Sequence, residues 1–538
     1  MAQQSYRANL SASAYPFLLS RSAGSVIIPG PDQNYDRRVD PTGETSPPGI
    51  PQAIYLENVL PTTEGYKSVG YLDLPSLPWT GATAFLEIKS TKTQLTELLA
   101  LRVGAQTAVR WTGAIWQTVG VVGGSGAPGF GPNVSYAITA GDIRIFDGDN
   151  IWRYNLSGTS SPYLGVLQRE DGITLTTGTY TPAGVLTGLK AISSSYNYLL
   201  LLKDSGSQVQ VVWSSLLSAT DFVPSLVTGS GGGAVADAQG RAVSIRASDK
   251  GFYVWNTANL LMGTYTGNSR YPFRFKAVKN GTGIRDASQI YGDIDESVFY
   301  YTNTFHAPLA IVEDSAQRIG TELAEFLEHN SVIDTFDSAT DTFSVEALPP
   351  RAKAGVPYLF AGRYLCMSVD KPEQLLGREE YFRVVYVYDT LLRRYGRLVV
   401  NHTHLCTVFT DAVSEHLGVL NVSTGIFKLC DIASAFPAAV PSGVLLLGRF
   451  QGVRSRRLIL EELRIAKATA PNFAVRYYTT ENSLDMSAAI TPYYHEAASS
   501  QASKKYLSRT EGNNVSILLK GGFDVSLVEL VYQLGGDS

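Results

Sequence analysis

His402, His404 and Cys406 stand two residues apart in a segment that reads as a β-strand, where alternation puts all three side chains on one face. Imidazole and thiolate are zinc donors, and His416 and Cys430 follow downstream as further ligands. Structural zinc sites draw close Cys-x-x-Cys pairs from a turn; none is present, and buried packing is the stronger expectation. Gly124-Ser125-Gly126-Ala127-Pro128-Gly129 matches a dinucleotide-binding glycine pattern, yet no helix follows to receive a pyrophosphate and Pro128 interrupts it, so a loop is expected. Asp147-Gly148-Asp149, Asp293-Ile294-Asp295-Glu296 and Asp337 to Asp341 could offer oxygen ligands to calcium, but none has the spacing of a calcium loop and hairpin turns account for them. Glu322 and Glu325 could pose as a glycosidase pair, although acidic residues in a first helical turn are already explained by the helix dipole. No phosphate-binding Gly-Lys-Ser/Thr loop and no Gly-x-Ser-x-Gly elbow occurs, and His495-Glu496 lacks the second histidine of a zinc protease. The chain is therefore expected to be no enzyme and to hold no cofactor and no metal.

The remaining concentration of chemistry is basic. Arg449, Arg454, Arg456, Arg457 and Arg464 precede Lys504, Lys505 and Arg509. Arg449, Arg454, Arg456, Arg457, Lys504 and Lys505 are the candidates for contact with phosphates or an acidic partner, against a plain alternative in which charge protects a strand edge.

These residues must be positioned by a large, weakly charged fold. In 538 residues, 44% are apolar and 17% charged, and 44 basic against 48 acidic side chains leave a net charge of −4. Such a chain folds, and its bulk charge favours neither nucleic acid nor anionic membrane. No apolar run approaches a spanning helix, no export signal is legible, and three cysteines fit a reducing compartment as buried fillers. Fifty glycines and thirty tyrosines, with short alternating runs and Asp-Gly and Asn-Gly turns, predict an all-β protein. Ile143 to Tyr154 reads as a hairpin, and similar units recur at Leu99–Trp116, Tyr198–Trp213, Val243–Thr264, Ser297–Val312, Tyr358–Val400 and Leu405–Cys430. A spacing of about 50 residues suits the blades of a β-propeller of about six or seven blades, and separate sandwiches are the rival arrangement.

One helix is expected after Thr321, carrying Leu323, Phe326 and Leu327 on its apolar stripe. The predicted division is an extended, proline-rich arm and lead-in over 1–80, a propeller with that inserted helix over 81–446, and a C-terminal β-sandwich over 447–538.

Several segments together resemble the tail nozzle and tail-hub propeller proteins (tail tubular protein B-like) of short-tailed bacteriophages. They are Glu57-Asn58-Val59-Leu60-Pro61-Thr62-Thr63-Glu64-Gly65-Tyr66, Val212-Trp213-Ser214 with Asp221-Phe222-Val223-Pro224, Ile319-Gly320-Thr321 and Val387-Tyr388-Asp389. The arginine-rich Arg454 to Arg457 and the closing Gly521-Gly522-Phe523-Asp524-Val525 complete the set. The resemblance implies a structural virion protein in the tail, made in the host cytoplasm, that forms a homohexamer. Its partners would be a head-to-tail adaptor, tail fibres or spikes, and double-stranded DNA passing through the lumen. Two other classes compete: a carbohydrate-processing propeller enzyme, and a propeller lectin with aromatic pockets around Trp111, Trp116 and Trp152.

Overall fold

The structure is a computed structural model. It describes residues 4–9, 26–28, 53–62, 65–90, 95–122, 129–139, 142–155, 166–170, 188–206, 208–292, 298–302, 307–319, 332–347, 355–369, 381–409, 415–431, 442–452, 458–467, 473–480, 494–496, 503–512 and 514–534. The expected helix after Thr321 lies outside the described residues, as do Glu322 and Glu325. Among the described residues the one helical element is a single 3₁₀ turn, Ala287–Gln289.

Alternating apolar runs separated by tight turns fold into four-stranded antiparallel meanders, because each hairpin has two apolar faces and only stacking on neighbours covers both. Blade 1 comprises Thr83–Ser90, Leu95–Arg102, Ala108–Trp111 and Trp116–Val122. Blade 2 comprises Ser135–Thr139, Asp142–Phe146, Ile151–Asn155 and Val166–Arg169. Blade 3 is Leu189–Ser195, Tyr198–Asp204, Val209–Trp213 and Gly231–Ala234, and blade 4 is Ala242–Ser248, Gly251–Asn256, Asn259–Tyr265 and Phe273–Thr282. Blade 5 is Ile290–Tyr291, Phe299–Thr302, Ala307–Val312 and Ser315–Arg318, and blade 6 is Val356–Phe360, Tyr364–Val369, Phe382–Asp389 and Arg394–His402. Blade 7 takes His404–Phe409, Glu415–Asn421 and Ile426–Asp431 from the end of the ring, and its outer strand, Gly70–Leu74, from the beginning.

Seven seams close the ring, and each has its own core. Ile88 and Trp152 mark the seam between blades 1 and 2, and Phe146 and Leu199 that between 2 and 3. Tyr198 with Phe252, Trp255 with Tyr300, and Tyr301 with Met367 mark the next three. Val387 with Leu417 and then Phe427 with Trp111 complete the circle from blade 6 through 7 back to 1. The first strands of blades 1, 2, 3 and 4 abut in turn, as do those of 5, 6, 7 and 1, so these are the inner strands. This is a seven-bladed β-propeller, and the rival of separate sandwiches fails because every seam is shared between consecutive units. A buried aromatic contributes roughly 2–3 kcal/mol and a hydrogen bond about 1, so stability resides mainly in the seams.

The periphery is stitched as well. The outer strands of blades 1 and 2 pair in parallel, Gly120 opposite Val166, and so do those of blades 4 and 5, Lys279 opposite Ser315. The turn between second and third strands repeats one device: Asp147, Asp204, Asn256 and Asn421 each accept a backbone N–H from two residues on, at 2.9, 2.7, 2.8 and 3.1 Å. Asp147 also takes Trp152 Nε1–H at 2.7 Å, which explains that acidic turn without calcium.

Two facing sheets form a C-terminal sandwich. It starts with strand Gly443–Gly452, and it includes N-terminal strands that the reading assigned to the arm. Ala53–Glu57 pairs with Gly443–Gly452 in one sheet, while Val59–Pro61 and Tyr66–Ser68 enter the facing sheet beside Asp524–Leu534. Gln4–Asn9 pairs with Asp524–Leu534, and Val26–Ile28 runs parallel to Gly443–Gly452. The arm's described strands thus lie on their own sandwich. The prolines that suggested irregular structure run from 29 to 51, between strands Val26–Ile28 and Ala53–Glu57. Asn58, with φ 52°, turns the chain from one sheet to the other, a left-handed corner that asparagine tolerates. A further hairpin between blades 5 and 6, Val332–Asp337 with Thr342–Ala347, lies on the sandwich. Its Asp341 accepts from Arg476 Nε at 2.5 Å and Lys520 Nζ at 2.7 Å. Burial pushes that carboxyl up, but those two partners outweigh it and hold it below the usual range.

Candidate functional site

The inner strands bring polar side chains from four blades together inside the ring. Glu87 and Lys89 come from blade 1, Tyr291 from blade 5, Tyr358 from blade 6 and Thr407 from blade 7. Glu87 Oε1 accepts from Tyr358 OH at 3.0 Å and from the Thr407 backbone N–H at 2.9 Å, and Tyr358 and Thr407 hydroxyls lie 2.6 Å apart. Lys89 Nζ donates to Tyr291 OH at 2.7 Å, stands 3.8 Å from Glu87 Oε1, and lies over the Tyr291 and Tyr358 rings at 5.2 and 5.6 Å. Burial, then the charges of Glu87, Tyr291 and Cys406, hold the Tyr358 phenol well above its usual range, so it stays a donor. Lysine, tyrosine and carboxylate are also the ingredients of acid–base chemistry. Here donors and acceptors answer one another across blades, and the arrangement acts as a cross-brace. No sequence signal singles these residues out, because their neighbours are set by ring closure and lie up to 320 positions away.

The structure separates the zinc constellation. The strand ends at His402, in blade 6, and a new one starts at His404, in blade 7. His402 is fully buried, with Nε2 2.7 Å from Ser368 Oγ and Nδ1 2.8 Å from the Val400 carbonyl. Cys406 packs into the seam with blade 1, and Cys430 into the opposite seam with blade 6. His416 stands opposite Val408 on the blade 1 side. All three cysteines are free and buried, and the described residues contain no cluster of three or more metal-ligating side chains.

Burial lowers the His402 pKa to about 4, against a smaller raising effect of its bond to Val400. A histidine whose folded pKa lies below its unfolded value of about 6.5 stabilises the fold above 6.5, and the contribution is lost as pH falls toward 4. Between pH 7 and pH 5 we expect His402 to cost about 2 kcal/mol. Urea unfolding at both pH values should show His402→Gln losing less stability than the parent over that interval; an equal loss would place the pH sensitivity elsewhere.

Of the basic candidates, Arg449, Lys504 and Lys505 lie on described strands. Arg449 occupies strand Gly443–Gly452 at a register shift between Leu447 and Phe450, in one sandwich sheet. Lys504 and Lys505 belong to Ser503–Gly512 in the facing sheet, opposite Ile465 and Arg464. That strand ends its sheet, which suits charge guarding an edge. Arg454, Arg456 and Arg457 lie outside the described residues, as do Gly124 to Pro128 and Asp293 to Glu296. The tryptophans of the lectin reading are used in packing. Trp111 and Trp116 meet Phe427 at 5.0 and 5.4 Å across a seam, and buried Trp152 meets Phe130 at 4.8 Å.

Of the segments that carried the phage resemblance, Gly320-Thr321 and Arg454 to Arg457 lie outside the described residues, and three others make long-range bonds. Asn58 Oδ1 accepts from the Val399 N–H and from Tyr71 OH, both at 2.9 Å, tying the lead-in to blade 6 and blade 7. Asp389 is buried and takes two bonds from Arg363, at 2.9 and 2.6 Å. The Ser68 N–H donates to the Phe523 carbonyl at 2.9 Å, and the Phe523 N–H donates to Ser68 Oγ at 2.8 Å.

No protein-family profile matches the chain, and no curated protein matches it. Solved structures overlap it weakly. A bacterial surface component of the type IX secretion system of Porphyromonas gingivalis, PorZ, is 10% identical with TM-score 0.38, over 82% of this chain and 58% of that one. Dihydro-heme d1 dehydrogenase NirN is 10% identical with TM-score 0.30, over 70% and 75%. An exo-β-1,3-galactanase from Phanerochaete chrysosporium is 8% identical with TM-score 0.25, over 87% and 100%. Overlap at that level carries no function across, and the propeller assignment rests on strand pairing and seams. Among the described residues no helix is long and apolar enough to cross a membrane.

Proposed function

We propose that this chain is a structural protein of a virion tail, the nozzle or hub ring of a short-tailed bacteriophage. In that role copies form a homohexamer, dock on a head-to-tail adaptor, meet fibres or spikes, and guide double-stranded DNA through the ring's lumen. The observation that carries the structural reading is the cross-brace inside the ring. A propeller enzyme or lectin presents open polar groups at its axial mouth, whereas here Glu87, Lys89, Tyr291, Tyr358 and Thr407 bind one another. Stitched outer strands and a sandwich sheet continuous with blade 6 support a rigid part, suited to permanent assembly. The phage assignment is supported by the resemblance of its segments. Mechanism would be geometric: a lumen poor in basic side chains lets a polyanion slide without sticking.

Native mass spectrometry and negative-stain class averages of the purified chain, alone and with the adaptor of the same virus, test this. A six-fold ring in either sample is the expected result. A monomer inert toward the adaptor that hydrolyses or binds soluble glycans would replace this reading with the carbohydrate-directed one.

A further inference from the structure

Blade 3 carries a long loop between its third and fourth strands, residues 214–230, whose backbone is fixed by its own bonds. Ser215 N–H donates to Asp221 O at 2.7 Å, Leu216 N–H to Thr228 O at 3.2 Å, and Gly229 N–H to Ser225 O at 2.9 Å. Trp213 Nε1–H donates to Gly229 O at 2.9 Å, and Phe222 is buried as the loop's anchor. On this rigid base Leu216, Leu217, Leu226 and Val227 are 46, 86, 66 and 93% exposed, and the Leu216–Thr228 bond holds the two pairs side by side. Asp221 is the single charged residue between 214 and 234, and its Oδ1 is occupied by the Val223 N–H at 3.0 Å.

The loop leads into Gly231-Gly232-Gly233-Ala234, the outer strand of the blade. The Trp213 indole lies against it, in van der Waals range of where a Gly231 Cβ would sit, at 3.5 Å, and a Gly233 Cβ, at 4.0 Å. The outer strands of blades 1 and 2 cover each other, as do those of 4 and 5, and Val59 covers that of blade 6. Among the described residues no strand pairs with the outer edge of Gly231–Ala234.

We propose that this loop and strand edge are a subunit interface, and that a neighbouring copy of this chain covers them. The inference rests on the ring reading and names the surface by which the ring is joined. The four side chains expose on the order of 500 Å², at the upper end of what a lone monomer shows. A neighbour loses an equal area on covering them, so about 1,000 Å² is removed from water, the floor that a biological interface must clear, before the strand edge adds to it. A surface without free charge selects an uncharged, apolar counterpart. A loop already fixed by hydrogen bonds loses little freedom on docking. A loop meeting a different surface of the next copy makes a head-to-tail contact, the type that closes into rings.

The test is assembly of the full chain, followed by native mass spectrometry over a concentration series, for the parent, Leu217→Glu/Val227→Glu, and Ile115→Glu. Ile115 is 57% exposed on blade 1, well away from the loop in the ring order, and serves as the matched control. The parent and Ile115→Glu should assemble alike while the double variant needs at least tenfold more protein, with unchanged melting temperatures for all three. A double variant that assembles like the parent overturns the interface and leaves the ring reading standing. Equal weakening of the double variant and the control also overturns it. A parent that stays monomeric alone overturns the second copy as occupant, and the ring reading is then decided by assembly on the adaptor.

Discussion

Removal of residues 1–74 should abolish folding, whereas removal of residues 1–50 should leave a cooperative, native-like protein. The longer deletion takes away Gly70–Leu74, which closes blade 7, and the strands Ala53–Glu57, Val59–Pro61 and Tyr66–Ser68. With them go Tyr55, Leu56, Val59, Leu60, Tyr66 and Val69, all buried. At roughly 2–3 kcal/mol each, their loss matches or exceeds the whole stability of a domain, about 5–15 kcal/mol. Arg394 and Arg397 would also lose the Thr62 and Leu56 carbonyls that accept from them. Near-ultraviolet circular dichroism and urea unfolding distinguish the two deletions. A soluble 75–538 fragment with a full cooperative transition would mean that the ring closes without its N-terminal strand.

The second large effect is expected at the cross-brace. Glu87→Ala leaves the Tyr358 hydroxyl and the Thr407 N–H without this acceptor, and takes away the carboxylate 3.8 Å from Lys89 Nζ. Removing one member of a buried ion pair costs about 3–5 kcal/mol, and because Lys89 is 22% exposed the low end applies. Adding Lys89→Met should recover about 1–2 kcal/mol, since the charge that faced Glu87 is then gone. Urea unfolding of the two single variants and the double gives the coupling. Effects that add within about 0.5 kcal/mol would show that Glu87 and Lys89 do not act as an ion pair.

The all-β class and a propeller of six or seven blades were legible because hairpins announce themselves locally, while the exact count was not. Ile143–Tyr154 forms the predicted hairpin, with Phe146 opposite Ile151, and the six other units each fall within a blade of their own. The turn device was present too, as an Asp or Asn ending the second strand in blades 2, 3, 4 and 7, though its degeneracy hides it from a consensus search. What stayed hidden depends on partners far away in sequence. The run from His402 to Cys406 looks continuous, and only the switch of Thr403 from one blade to the next divides it. The lead-in looked like an arm because alternation over Ala53–Pro61 is short and its partners lie more than 330 residues downstream. Glu87 and Lys89 read as ordinary strand-end charges until blades 5, 6 and 7 are set around them.

The corner at Asn58 and the bond between Ser68 and Phe523 also set a timetable for biosynthesis. Residues 53–68 leave the ribosome early, but Phe523 follows Ser68 by 455 positions. At about 5–20 residues per second that interval lasts roughly 20–90 s. Over most of it, the strands that fasten both the ring and the sandwich wait for partners made late, Arg394–His402, Gly443–Gly452 and Asp524–Leu534, so the nascent chain needs protection at its beginning until its end is made. A chaperone bound near residues 53–68 during translation would meet that need, and release would coincide with completion of the sandwich.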